Sequence, residues 1–267
     1  MNDQICSEEE VDAKVEEKRR SRAIYILPNL FTSAALFAGF FAIVQAMNSR
    51  FDLAAWAIFV AMILDGLDGR VARLTNTQSQ FGAEYDSLSD CVAFGVAPAL
   101  VTYEWALKDL GKLGWIAAFI YCVSAALRLA RFNTNITVID KRFFQGLPSP
   151  AAAALLTGFV WVMIDNNVSP DSSLLGIPVR YMACVCAIFS GVSMVTNVLF
   201  WSGKSINLRR AIPFAAALAF VVVLLVVSSY PPGVLFGLFV CYGLSGYVMS
   251  IWRRLRRRKP AVANKAQ

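Results

Sequence analysis

The sequence predicts an all-α, polytopic membrane bundle of about eight helices, and three observations predict it. Of its 267 residues, 57% are hydrophobic and 16% charged, whereas soluble domains are nearer a quarter charged. The apolar residues gather into eight segments, roughly 29–47, 53–73, 83–105, 113–132, 149–166, 180–201, 210–229 and 232–251. Each is near the ~20 residues that cross a hydrocarbon core. The third observation is the distribution of basic residues between the two sides that alternating crossings define.

Taken in order, residues 1–23 form a polar tail with an acidic cluster (Glu8, Glu9, Glu10) and a basic run (Lys18, Arg19, Arg20, Arg22). No apolar signal core precedes them, so a retained tail is expected. One transmembrane domain then spans 24–251, and a basic tail fills 252–267. The second and third apolar segments are interrupted by aspartates, and the fourth ends in Arg128 and Arg131. The stretches DNNVSPDSS (165–173) and SSYPPG (228–233) are turn-rich and carry no positive charge, as outer loops should.

With the N-terminus inside, 21 of the 25 Lys and Arg residues fall on the inner side, leaving Arg50, Lys108, Lys112 and Arg180 outside. That partition follows the positive-inside rule. It puts both termini and the 65–90 stretch on the cytoplasmic face of the cell (inner) membrane. The net charge of +7 therefore reports orientation and contact with anionic headgroups, and no nucleic-acid partner is expected.

Residue usage narrows the chemistry. Five of the six cysteines lie in apolar segments, there is no CxxC, and histidine is absent. A disulfide framework and a zinc site are not supported, and any Ser/His or Cys/His catalytic pair is excluded. Acid and base chemistry falls to carboxylates, lysine or tyrosine.

Residues 65–90 read DGLDGRVARLTNTQSQFGAEYDSLSD. On helices, Asp65 and Asp68 are neighbours at i,i+3, and Asp86 and Asp90 at i,i+4. Two helices joined by a short loop would bring four carboxylates together, and a charged side chain at membrane depth costs ~3 kcal/mol even on lenient scales. Four such groups call for cations. Oxygen-only ligands favour a hard ion such as Mg²⁺ or Mn²⁺, and two ions on shared carboxylates suit phosphoryl chemistry. Arg73 suits a phosphate beside them, while Gly69 and Ala72 leave room for a nucleotide near the backbone and Gly82 lets the third helix begin close to the second. The residues thus describe a membrane enzyme that cleaves a phosphoanhydride at the cytoplasmic surface.

The order Asp65, Asp68, Gly69, Ala72, Arg73, Gly82, Asp86, Asp90, with its spacing, resembles the signature of the CDP-alcohol phosphotransferase family at every defined position. The segments IYILPNLFT, YDSLSDCVAFGVAPA, RLARFN and FQGLPSPAAA, within about 24–155, are similar to the branch of that family that uses serine. The resemblance implies transfer of a phosphatidyl group from CDP-diacylglycerol to L-serine, release of CMP, a homodimer, and two divalent cations. It also implies that Asp65 and Asp86 bridge the ions, Asp68 completes one, and Asp90 binds the other and acts as base. Asn29, Thr32, Gly69, Arg73 and Ser79 match positions on the CDP-diacylglycerol side, and Ala72 and Gly82 are expected with them there, which makes seven donor-side residues.

The acceptor side is less determined by pattern. Arg128 and Arg131 lie at i,i+3, at a depth that suits a serine carboxylate or a lipid phosphate, and positive-inside anchoring accounts for them equally well. Gln145, Ser149 and the GLPSP turn fit the same entrance or simply start a helix. Lys141 and Arg142 keep open a phosphorylated acceptor such as glycerol 3-phosphate or an inositol compound. A metal-coupled transporter would instead place acidic residues deep in several spans or show an inverted repeat.

Overall fold

The computed structural model describes residues 28–75, 77, 79–134, 143–174, 176–201 and 214–257, and these are mostly helical. The N-terminal tail with Cys6, the basic residues Lys141, Arg142, Lys204, Arg209 and Arg210, and the chain from 258 onward lie outside the described residues. The helix α1 (Pro28–Met47) turns tightly into α2 (Phe51–Leu74). In that turn Ser49 adopts a φ of 58° and its amide donates to the Ala46 carbonyl at 2.9 Å.

α3 (Gln80–Asp90) starts at Ser79, whose hydroxyl accepts from the Gly82 amide and caps the helix. It does not end at Asp90. The chain continues through a π-helical turn (Cys91–Val96), α4 (Ala97–Thr102), a second π-helical turn (Tyr103–Leu107) and a 3₁₀ turn (Lys108–Leu110). Pro98 supplies a local cause, since it has no amide to offer the carbonyl four residues back. That carbonyl, on Phe94, accepts from the fully buried Tyr121 hydroxyl at 3.0 Å.

The remaining helices are α5 (Lys112–Thr134), α6 (Ser149–Asp165), α7 (Val179–Val195), α8 (Phe214–Ser229) and α9 (Pro231–Arg257). α6 is the central pillar: every residue from Ala151 to Trp161 is buried. Its alanines admit close neighbours, and its aromatic end meets Trp56 of α2 edge-on at 4.9 Å. One core joins α5, α6 and α7, and another joins α1, α2 and the α3–α4 unit to α6. With α3 and α4 taken as one unit, the helices from α1 to α7 alternate in direction, so the starts of α1, α3 and α6 meet the ends of α2, α5 and α7 at one end of the bundle.

Large apolar side chains such as Phe37, Phe40, Val185, Leu225 and Val248 face outward, which suits hydrocarbon rather than water. Pro28–Met47, Lys112–Thr134 and Pro231–Trp252 are long and apolar enough to cross a membrane, while α6 and α7 are shorter apolar helices of 17 residues. The chain is a helical membrane protein.

Two details depart from the sequence reading. The apolar run 180–201 is not one helix: α7 stops at Val195, Thr196 is extended (φ −64°, ψ 157°), and β4 (Leu199–Trp201) pairs antiparallel with β1 (Phe143–Gln145). A second pair, β2 (Ser173–Leu174) with β3 (Ile177–Pro178), closes the turn before α7. Strands of two or three residues are too short to show a period of two in sequence. Gly146, at φ 79°, follows β1 where a Cβ would collide with the Met194 carbonyl.

Candidate active site

The link after α2 reverses the chain within five residues, from Thr75 to Ser79. The carboxylate faces of α2 and α3 consequently meet. Ligand oxygens of Asp65, Asp68 and Asp86 all lie within 4.8 Å of one another, and the Asp90 side chain reaches Asp65. Asp68 is buried and the other three are half-buried. Among the described residues, no Lys or Arg comes within ion-pair distance of these four.

Among the described residues the cluster has no ion-pair partner, and the Oδ1 atom of Asp86 is buried without a hydrogen-bond partner. An orphaned carboxylate oxygen beside two further carboxylates has the chemistry of a ligand set for a hard divalent cation. The residues present fit the ions that the sequence implies.

Beside the cluster opens a cavity of about 410 Å³ lined by Asn29, Thr32, Asp68, Gly69, Ala72, Arg73, Ser79, Gly82 and Asp86, with Pro28, Thr77, Ala83 and Phe132 completing the wall. All seven residues expected on the donor side line this one space. Gly69 is open to it, with only the Arg73 guanidinium 4.0 Å from where a Cβ would stand. At Gly82 the close approach differs from expectation: a Cβ would sit 3.1 Å from Ser79 Oγ and 3.4 Å from Asn29 Oδ1. The crowding is with α1 and the helix's own cap rather than with α2.

Asp65 and Asp90 are not part of that cavity wall. On α5, Arg128 lies within electrostatic reach of Asp90. Arg128 donates to the Ser149 hydroxyl at the start of α6, and its Nε is buried with no partner. Arg131 is turned to a different task, donating to the Val195 carbonyl at 3.1 Å and to Asn197 Oδ1 at 3.3 Å. A cation at a helix C-terminus is well placed electrostatically. Gln145 donates to the same Asn197 oxygen at 2.7 Å, so it fastens the β1–β4 clasp instead of lining the entrance.

Sequence reasoning did not single out Asn133, Phe132, Thr77, Tyr85 or Asn197. Asn133 joins Ser87 at 3.0 Å and Tyr85 meets the Ser33 hydroxyl at 2.8 Å. The segments RLARFN and YDSLSD, which contain three of them, did carry a signal; the arginines and aspartates in them drew the attention.

Comparison with known proteins agrees with this geometry. The model of the CDP-alcohol phosphatidyltransferase family matches residues 25–189. A Helicobacter pylori (strain J99) protein named CDP-diacylglycerol--serine O-phosphatidyltransferase is 36% identical over 230 residues, covering 84% of this chain and 92% of its own. Proteins of the same name from Methanocaldococcus jannaschii and Mycobacterium bovis are 44% and 42% identical, over 52% and 53% of this chain and 62% and 51% of theirs. The family match spans the carboxylate corner and its cavity, and the Helicobacter relative aligns over nearly its whole length, so the chain belongs to the CDP-alcohol phosphatidyltransferase family.

Proposed function

We propose that this chain transfers the phosphatidyl group of CDP-diacylglycerol to the hydroxyl of L-serine and releases CMP, the activity of a phosphatidylserine synthase. The observation that carries the reading is a carboxylate cluster, Asp65, Asp68 and Asp86 with Asp90 joined to Asp65, that opens through Asp68 and Asp86 onto a cavity lined by all seven donor-side residues. The names of the relatives support serine as acceptor.

In this reading Asp65, Asp68, Asp86 and Asp90 would hold two divalent cations, Mg²⁺ or Mn²⁺, with Asp65 and Asp86 shared between the ions, Asp68 serving one and Asp90 the other. When bound, the ions supply neutralisation of the diphosphate and of the departing CMP oxygen. Arg73 pairs with the diphosphate through a planar fork of donors. Gly69 and Ala72 leave the space in which the nucleotide lies against α2, and Asn29, Thr32, Ser79 and Gly82 form the α1 and α3 walls around it. Asp90, on the side of the cluster away from that cavity, takes the proton of the serine hydroxyl on a carboxylate oxygen. The serine oxygen then bonds to phosphorus, the anhydride P–O bond breaks, and CMP leaves with the electron pair. Arg128 receives the serine carboxylate through its unpartnered Nε. Arg131, the second acceptor-side candidate, supports this pocket from α5 by holding the end of α7.

The finer architecture belongs to the same proposal: a tail at 1–23, one transmembrane domain at 24–251 crossing eight times, and a basic tail at 252–267. Alternating helix directions and the 21 inner basic residues support both termini and the site facing the cytoplasm at the inner membrane. Serine and CMP then exchange with water while the acyl chains stay among membrane lipids. We extend the proposal to a homodimer on family resemblance.

The test is purified protein with CDP-diacylglycerol and Mn²⁺ or Mg²⁺, offered serine, glycerol 3-phosphate or inositol phosphate separately. CMP release with serine alone is expected, and release with a phosphorylated acceptor instead would overturn the assignment.

A further inference from the structure

Thr32 was placed by sequence among the residues that touch the donor, yet its polar atoms are committed elsewhere. It is buried at 4% exposure, and its hydroxyl donates to Asp68 Oδ2 at 2.9 Å, with the Pro28 carbonyl as a longer second acceptor at 3.2 Å. The backbone carbonyl of Thr32 accepts from the Ser89 hydroxyl at 3.0 Å. Ser89 is 2% exposed and sits on α3 directly before Asp90.

These three residues connect three helices. Asp68 is on α2, Thr32 on α1, and Ser89 on α3 between Asp86 and Asp90. The two carboxylate helices meet at the site through like charges, which push them apart when no cation is bound. A neutral hydroxyl donating to Asp68 Oδ2 fixes the orientation of that carboxylate beside Asp65 and Asp86 without adding charge to the cluster. A carbonyl oxygen carries two lone pairs, so that of Thr32 is able to accept from Ser89 as well as from its own helix.

We propose that Thr32 is a positioning residue that acts through Asp68, and that the chain Ser89, Thr32, Asp68 sets the spacing between the α2 and α3 carboxylates for the cations. The inference rests on the metal-site reading above but not on which acceptor is used. It assigns α1 a part in metal binding although that helix contributes no carboxylate.

The experiment is calorimetric titration of Mn²⁺ alone into the purified full-length protein, with no lipid substrate or acceptor present. Partners of ligating carboxylates change metal affinity by ~10- to 100-fold when removed. Thr32→Val keeps the shape and loses the donor, and a weakening in that range is expected; Thr32→Ser restores a hydroxyl and should bind within about twofold of the parent. Ser89→Ala leaves the Thr32–Asp68 bond in place and is expected to weaken Mn²⁺ by a few-fold, which tests the relay even if the valine variant folds poorly. Unchanged Mn²⁺ affinity in Thr32→Val, with a raised KM for CDP-diacylglycerol, would return Thr32 to direct donor contact. Equal losses in Thr32→Ser and Thr32→Val would make its role one of packing, and either result overturns the proposal. A parent protein that takes up no Mn²⁺ overturns the metal site itself, whereas CMP release with another acceptor touches only the choice of serine.

Discussion

Asn133 Nδ2 donates to Ser87 Oγ at 3.0 Å, which clamps the last turn of α5 onto the part of α3 that lies between Asp86 and Asp90. The clamp joins the helix that carries Arg128 to the helix that carries the proposed base. Replacing Asn133 by alanine removes this bond and the longer return bond from Ser87 Oγ to Asn133 Oδ1 at 3.4 Å, together worth about 1 to 2 kcal/mol of stability for a half-buried pair. Activity is expected to fall by more than stability does, with the loss in kcat rather than in the KM for CDP-diacylglycerol. Steady-state kinetics with each substrate varied, beside a thermal melt, separates the two.

Asp90→Asn keeps size and polarity while removing the carboxylate. The variant should remain folded and still bind CDP-diacylglycerol, and kcat should fall by ~10²- to 10⁴-fold, the usual weight of a general base. Near-normal turnover would remove Asp90 from that role.

Arg128→Lys retains the charge but loses the planar fork and the buried Nε–H. A charged hydrogen bond is worth about 1.5 to 3 kcal/mol, so the KM for serine should rise ~10- to 100-fold with the KM for CDP-diacylglycerol little changed. A rise confined to the lipid substrate would place Arg128 on the donor side.

Tyr121→Phe tests the fold alone. The Phe94 carbonyl loses its buried donor, and an unsatisfied buried group costs about 1 to 3 kcal/mol. A lower thermal midpoint with unchanged Mn²⁺ affinity is the expected result.

The carboxylate corner was legible in sequence because it is local: two helices and a link of five residues hold every member of the signature, so spacing alone foretells the geometry. The donor cavity was legible almost as well, since all of its wall except Phe132 of α5 comes from α1, α2, α3 and the link between the last two. Long-range partners were not. Nothing in the spacing of Arg131 announces that it reaches Val195 and Asn197, 64 and 66 residues away, and the clasp of Phe143–Gln145 on Leu199–Trp201 joins segments too short to carry a pattern. Thr32 illustrates the limit well. Its membership of the site was readable, but only the fold shows that its hydroxyl is spent on Asp68.

The π-helical turn at Cys91–Val96 begins at the residue after Asp90. Each π turn takes up about one residue more than an α turn, equivalent to ~100° of rotation about the axis. The long third helix is thus two stripes out of phase: its first part aims Asp86 and Asp90 at the chemistry, while Ala97, Ala99 and Val101 beyond the turn point into the cores around α6. Without that phase shift, one stripe would have to serve both acidic and greasy neighbours. With it, the part of the helix beyond the turn packs against α6 on its own stripe while the aim of the carboxylates is preserved.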